Sequence, residues 1–238
     1  MYTIIAFIII LFWGKRRIIM SGFTGFFQSV ITREGIIAIV VAIVLCIAVA
    51  LINKQKGKHM STKTVVAIGI GAALYAALSA ISVPIGPNTS FRIAIALLPI
   101  FGAFFGPTAG FLIGFIGHAL NDAFMYGGVW WSWVFLSAMM GLFGGFVCFD
   151  KKFDPINGAC TKAHIAMMYI WSLVGMLVGS VIAYLGDVYL YGEPAEKLFV
   201  QITLANISNL IVIAVIGIPA VILIAKSKAK NKGLKKDA

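Results

Sequence analysis

The chain has 238 residues, of which 61% are hydrophobic and 11% are charged, and its formal net charge is +11 at pH 7. Soluble domains are about 45–50% apolar and about 25% charged, so a chain of this composition cannot cover itself with polar surface and needs lipid as solvent. Its basic residues cluster between apolar runs, which is typical of the cytoplasmic ends of membrane helices and argues against a nucleic-acid interface.

The first 59 residues carry two apolar runs ahead of a basic segment. Residues 2–13 are few for a membrane span, which needs about 20, and their basic flank follows the apolar run instead of preceding it as in a signal peptide. Residues 36–52 are long enough to span. We interpret residues 1–59 as an N-terminal hydrophobic extension, either an extra membrane anchor or sequence upstream of a true start at Met20 or Met60.

Residues 60–238 predict an all-α integral membrane protein whose core is a six-transmembrane-helix bundle. Prolines and paired glycines break the apolar segments because proline lacks a backbone donor and glycine disfavours helix. The predicted helices cover residues 64–83, 91–105, 108–124, 130–149, 163–185 and 197–225.

The loop charges predict the orientation of these helices in the plasma membrane. The basic segment before residue 64, the loop at 151–162 and the lysine-rich tail belong in the cytoplasm, which requires an even number of spans. The termini of the core are then cytoplasmic. The loops at 84–90, 125–129 and 186–196 are then outside.

The densest polar group lies near the outer end of the third helix. His118, Asn121 and Asp122 share one helix face at i, i+3 and i+4. Polar groups are costly inside a membrane and are usually functional there. They offer too few ligands for zinc, and the chain has no hydrolase or P-loop motif. We therefore expect no metal ion and no cofactor, and expect the cluster to hydrogen-bond a polar ligand or its own members.

Other residues could complete a ligand site at the outer end. Trp130 and Trp133 share a helix face that could stack on a planar ligand, whereas Trp131 is expected to meet lipid. Arg92 could bind an anionic group or extend to the lipid headgroups. The candidate substrate contacts are Asn88, Arg92, His118, Asn121, Asp122, Tyr126, Trp130, Trp133, Asn206 and Asn209.

Small residues recur every fourth position in the first helix and along the second and third helices, which lets another helix approach closely. In the first helix this spacing predicts either packing within the bundle or a docking face for a partner. The glycine series predicts packing between the second and third helices. The series are Gly69, Ala73 and Ala77; Ala72, Ala76 and Ala80; and Gly102, Gly106, Gly110 and Gly114.

Three segments carry a family resemblance: KTVVAIGIGAA at 63–73, FGPTAGFLIGFIGH at 105–118 and WWSW at 130–133. With them, residues 60–238 resemble the S components of energy-coupling factor (ECF) transporters, in particular the group described as riboflavin transporters. The resemblance implies a vitamin-binding subunit that captures substrate on the outer face. It also implies assembly with a transmembrane T component and two cytosolic ATPases, which would hydrolyse the ATP.

The resemblance further implies docking through an Ala-x-x-x-Ala motif on the first helix, at Ala72, Ala76 and Ala80 or at Ala73 and Ala77. Riboflavin is the first substrate expected, with cobalamin or a thiamine precursor as alternatives. From the residues alone, an intramembrane enzyme using His118 and Asp122 and a structural membrane protein remain alternatives.

Overall fold

The structure is a computed structural model that describes residues 20–55 and 60–234, so the apolar run at 2–13 lies outside the described residues. Helices dominate, as the apolar runs predict. The α-helices are α1 (residues 20–30), α2 (Arg33–Gln55), α3 (Thr62–Ser79), α4 (Leu97–Phe105), α5 (Pro107–Tyr126), α6 (Trp131–Gly144), α7 (Lys162–Gly186), α8 (Ala195–Val212) and α9 (Ile218–Leu234).

Short helical turns extend several of these helices. A π-helical turn at Ile213–Gly217 joins α8 to α9, so the two form one long element where one helix was predicted. A second π-helical turn, Asp187–Tyr191, prolongs α7 into the segment predicted as a loop. This extension carries Asp187 back towards the bundle, where its side chain is buried.

Five elements are long and apolar enough to cross a membrane, by length and composition of the described residues, and the class of all-α membrane protein is confirmed. They are Arg33–Ile52, Thr62–Ser79, Trp131–Phe149, Lys162–Tyr191 and Ala195–Asn231. Ile93–Phe105 is a shorter apolar helix. Helix α5 has 20 residues but falls outside this set, because its polar residues lower its hydropathy. The count of six core spans therefore stays a prediction.

A β-hairpin replaces the predicted loop at 84–90 and the predicted start of the second helix. Strands β1 (Ser82–Gly86) and β2 (Thr89–Arg92) pair antiparallel, with Ser82 opposite Arg92. Asn88 closes the turn with a φ of 46°, a left-handed conformation that asparagine tolerates. A 3-10 turn, Ile93–Ala96, follows before α4 begins. The prediction of a helix from residue 91 is wrong, and Arg92 ends a strand.

Glycines bring α6 against both α4 and α5. A Cβ on Gly110 would collide with the backbone carbonyl of Gly141, and a Cβ on Gly141 would collide with that of Gly110. A Cβ on Gly102 would lie 2.8 Å from the nitrogen of Gly145. The glycine series was expected to pack the second helix on the third. That contact is present, since a Cβ on Gly110 would lie 3.2 Å from the Cα of Gly102, but the closest contacts of the series are with α6, the fourth core helix, and the turn that follows it.

Helices α1 and α2 pack on the α5–α6 face of the bundle. Ala38 and Ala42 of α2 are buried in one apolar cluster with Phe111 and Phe135. Gly25 of α1 lies so close to the backbone of Gly127 that a side chain there would collide with its carbonyl. The described part of the N-terminal extension is thus packed against the core, while its treatment as a separate unit stays a prediction.

Candidate functional site

A cavity of about 530 Å³ lies between the β-hairpin, α5, α6, the end of α7 and the first half of α8. This volume falls within the range of about 300–1,000 Å³ that is usual for small-molecule sites. Its polar and charged lining residues are Ser82, Asn88, Thr89, Ser90, Arg92, His118, Asp122, Ser137, Asp187, Glu193, Lys197, Gln201 and Asn209.

Eight of the ten candidate contacts line this cavity: Asn88, Arg92, His118, Asp122, Tyr126, Trp130, Trp133 and Asn209. Asn121 and Asn206 are not among the lining residues. Asn121 is buried behind Asp122 and donates to its Oδ1 at 3.3 Å. Asn206 donates to Ser180 Oγ at 2.9 Å and so joins α8 to α7. Binding of substrate by any of the ten stays a prediction.

A hydrogen-bonded chain runs from the cavity into the core through His118. Arg92 Nη1 lies 3.1 Å from His118 Nε2, and His118 Nδ1 lies 2.7 Å from Ser137 Oγ. Ser137 Oγ is in turn 3.0 Å from the hydroxyl of Tyr75, which is fully buried. Because a guanidinium only donates, its bond requires a lone pair on Nε2, which places the ring proton on Nδ1. His118 then donates to Ser137.

Ser137, His118 and Asp122 are in contact, as in a catalytic triad, since His118 Nδ1 bonds to Ser137 and Asp122 Oδ1 lies 3.3 Å from His118 Nε2. A histidine that activates a serine must accept its proton. With Arg92 on Nε2, His118 donates to Ser137 instead, and the hydroxyl also contacts Tyr75. This arrangement orients buried polar groups and does not prepare a nucleophile.

Asp187 binds the indole nitrogens of Trp130 and Trp133 at the start of α6, a role that was not predicted from the sequence. Its Oδ1 accepts from Trp130 Nε1 at 2.9 Å and from Ser132 Oγ, and its Oδ2 accepts from Trp133 Nε1 at 2.8 Å. A buried carboxylate needs such donors because water is excluded from it. The three bonds hold both indole rings at the cavity wall.

The start of α8 closes the opposite wall. Lys197 forms an ion pair at 2.6 Å with Glu193, which lies four residues earlier, before the helix begins. Gln201 Nε2 donates to the carbonyl of Pro87 at 2.9 Å and so fastens α8 to the hairpin turn. Gln201 was not among the ten candidate contacts, although a buried amide in an apolar helix is a recognisable signal of such a bond.

Helix α1 supports the corner between α5 and α6. Ser29 Oγ accepts from the backbone N–H of Val129 at 2.9 Å, and Trp131 Nε1 donates to the Ser29 carbonyl at 3.1 Å. Trp131 is 4% exposed, so the expectation that it meets lipid is wrong. The N-terminal extension covers this ring, which the spacing of the tryptophans alone could not reveal.

Within the described residues, no group of three or more His, Cys, Asp or Glu side chains is placed to hold a metal ion. The lining offers hydrogen-bond donors and acceptors beside aromatic rings. Such a lining recognises an organic molecule by shape and polar contacts.

The fold and the cavity together define an α-helical membrane protein with a small-molecule pocket at one end of its bundle. The chain belongs to the family described as "ECF-type riboflavin transporter, S component", whose profile matches residues 59–226. The resemblance drawn from the sequence is thereby confirmed, and the chain is a substrate-binding membrane subunit of this transporter type. Helices α1 and α2 lie outside the matched range.

The chain is also similar to a protein named "UPF0397 protein" from Lactococcus lactis subsp. cremoris (strain SK11). The two are 43% identical over 190 residues, which cover 79% of this chain and 100% of the relative. No solved structure matches the chain.

Proposed function

We propose that the cavity captures a vitamin or related micronutrient on the outer face of the plasma membrane, as the first step of import. The observation that carries this proposal is the lining itself. Charged and amide side chains from four parts of the chain converge on one cavity beside Trp130 and Trp133. Few folding requirements would place so many polar groups at one point in an apolar bundle.

The distribution of loops supports an outward-facing cavity. The hairpin, the corner at Gly128 and the segment around Glu193 all contribute to the lining, and the positive-inside pattern places all three loops outside. At the other end, Gly158 of the lysine-flanked loop packs against Ala229 in the basic end of α9. This agrees with a cytoplasmic location for both.

The first substrate proposed is riboflavin, because the family description names it and the aromatic lining suits a flavin ring. A thiamine precursor suits a cavity of this volume equally well. The much larger corrinoid of cobalamin fits a cavity of about 530 Å³ less well.

Helix α3 carries the surface that we propose for docking to a T component, which would work with two cytosolic ATPases. Ala73, Ala77 and Ala80 are exposed, and a Cβ on Gly69 would meet no other atom. Ala72 is 3% exposed and belongs to the bundle interior. Exposure therefore favours the row Gly69, Ala73 and Ala77, with Ala76 half-buried at its edge.

Substrate capture is tested by mass spectrometry of the small molecule that co-purifies with the protein, followed by quenching of tryptophan fluorescence. A vitamin that co-purifies and quenches wild-type fluorescence supports the proposal. Failure of a broad vitamin panel to bind folded protein, with nothing co-purifying, would refute it.

Docking is tested separately with Ala77→Leu, which should abolish co-purification of the T component and ATPases while ligand quenching persists. Ala195→Leu adds the same bulk to an exposed position on α8 and serves as the matched control. Unchanged co-purification of Ala77→Leu with its partners would refute the docking assignment.

A further inference from the structure

We infer that the captured molecule carries an anionic group, a carboxylate or phosphate, that binds Arg92. This inference rests on the proposed capture of a micronutrient and adds the charge of the ligand, which favours an anionic vitamin or a phosphorylated form over riboflavin itself, a neutral molecule. It follows from how the charged lining residues are paired. The guanidinium of Arg92 still has unused donors, whereas each carboxylate already accepts hydrogen bonds from the protein.

Arg92 has no carboxylate partner among the described residues. The carboxylates there that lie against a basic side chain are Asp122 beside His118, Asp150 beside His164 and Glu193 beside Lys197. The hydrogen bond of the Arg92 side chain goes to a ring nitrogen of His118. A guanidinium has five N–H donors in a planar fork that matches a carboxylate or phosphate, so most of its capacity is unused.

The strand geometry places Arg92 at the cavity and away from lipid headgroups. Successive residues of a strand point to opposite faces. Ser90 and Arg92 both line the cavity, whereas Phe91 between them packs against the apolar core. Arg92 is held in this register by pairing with Ser82. Extension to the membrane surface, the alternative expected from the sequence, does not fit this placement.

The acidic lining residues already have donors. Asp187 accepts three hydrogen bonds, Glu193 pairs with Lys197, and Asp122 accepts from the Asn121 amide and from the Trp130 backbone at 3.3 Å. A cationic ligand would have to displace these partners. An anionic group meets a guanidinium whose current partner, His118, is uncharged when it accepts the bond.

The test compares vitamin pairs that share a ring and differ in charge: riboflavin with its 5′-phosphate, pyridoxal with its 5′-phosphate, and nicotinamide with nicotinate. Affinities are measured by tryptophan quenching for the wild type, Arg92→Gln and Arg92→Lys in nanodiscs of neutral phosphatidylcholine. Lys63→Gln removes an exposed positive charge in the first turn of α3 and is the control.

We expect the anionic member of at least one pair to bind the wild type and Lys63→Gln at least tenfold more tightly than its neutral partner. Arg92→Gln should abolish that preference, and Arg92→Lys should retain part of it. The pair that shows the preference distinguishes phosphate from carboxylate.

Tight binding of a neutral vitamin without any charge preference, or a preference that survives in Arg92→Gln, would overturn this inference and leave the proposed function intact. Competition by anionic phosphatidylglycerol in the nanodisc would assign Arg92 to a lipid headgroup and also overturn it. If no probe binds and no small molecule co-purifies, the proposed function fails and the inference fails with it.

Discussion

Arg92 and Asp122 approach the same nitrogen of His118. Arg92 Nη1 lies 3.1 Å from Nε2, and Asp122 Oδ1 lies 3.3 Å from it. The bond from Arg92 requires a lone pair on that nitrogen, whereas a bond to Asp122 requires a proton there. The two bonds therefore exclude each other, and any ligand that draws Arg92 away frees His118 to donate to Asp122.

His118→Phe should destabilise the protein by about 1–3 kcal/mol, because Ser137 and Arg92 each lose a buried or half-buried hydrogen-bond partner. The measurement is thermal unfolding of the detergent-solubilised protein, followed by circular dichroism. Tyr126→Phe is the control, because that ring is 64% exposed and its hydroxyl should contribute little. Equal melting temperatures for the two variants would contradict the network.

Asp187→Asn should leave one donor of α6 unsatisfied, because an amide offers one acceptor oxygen where the carboxylate offers two. The expected loss is again about 1–3 kcal/mol, and the emission maximum of the tryptophans should shift as an indole N–H is released. Glu196→Gln, at an exposed acidic residue nearby, should change neither property. Unaltered tryptophan emission in Asp187→Asn would argue against hydrogen bonds from both indole rings to the Asp187 carboxylate.

Gly110→Ala should destabilise the bundle by roughly 1–3 kcal/mol or more, because its Cβ meets the Gly141 carbonyl and forces α5 and α6 apart. Gly69→Ala is a matched substitution in α3 where the new Cβ meets nothing. It should be neutral or slightly stabilising, since alanine favours helix by about 1 kcal/mol over glycine. Thermal unfolding of both variants measures the contrast, and equal effects would refute the close crossing.

Ser29→Ala should loosen the corner between α5 and α6, because the Val129 N–H loses its acceptor. Hydrogen exchange of the Val129 amide, measured by mass spectrometry, should be accelerated several-fold or more. Thr24→Ala removes an exposed hydroxyl of the same helix that bonds only to the carbonyl of Met20 and should leave this amide unchanged. Protection of Val129 in Ser29→Ala equal to the wild type would show that α1 does not hold the corner.

Most helix positions could be predicted from the sequence because apolar length and helix breakers are local signals. The predicted helix at 108–124 and the observed α5 at Pro107–Tyr126 differ by two residues or fewer at each end. The hairpin could not be predicted in this way, because Pro84 and Pro87 resemble a plain loop. Its pairing depends on residues ten apart, Ser82 and Arg92, meeting across a turn.

The site was only partly predictable for the same reason. The face shared by His118 and Asp122 follows from helical spacing, and both line the cavity. Asp187 was placed in an outer loop, because its role depends on tryptophans more than 50 residues earlier in the chain. The contact of Gly110 with Gly102 agrees with the predicted packing of the second helix on the third. Its closer contact with Gly141 of α6 was not predicted, since spacing identifies a small-residue face but not every neighbour that occupies it.

The contact of Ser29 with Val129 spans 100 positions of the chain. Helices α1 and α2 are synthesised before α5 and α6, yet their binding surface exists only after α5 and α6 have been inserted. Interactions of such long sequence separation form late, since the intervening chain must be ordered first. Helices α1 and α2 are thus made before the helices on which they pack but reach their final contacts late. The pocket corner is complete only when α1, α5 and α6 are all in place.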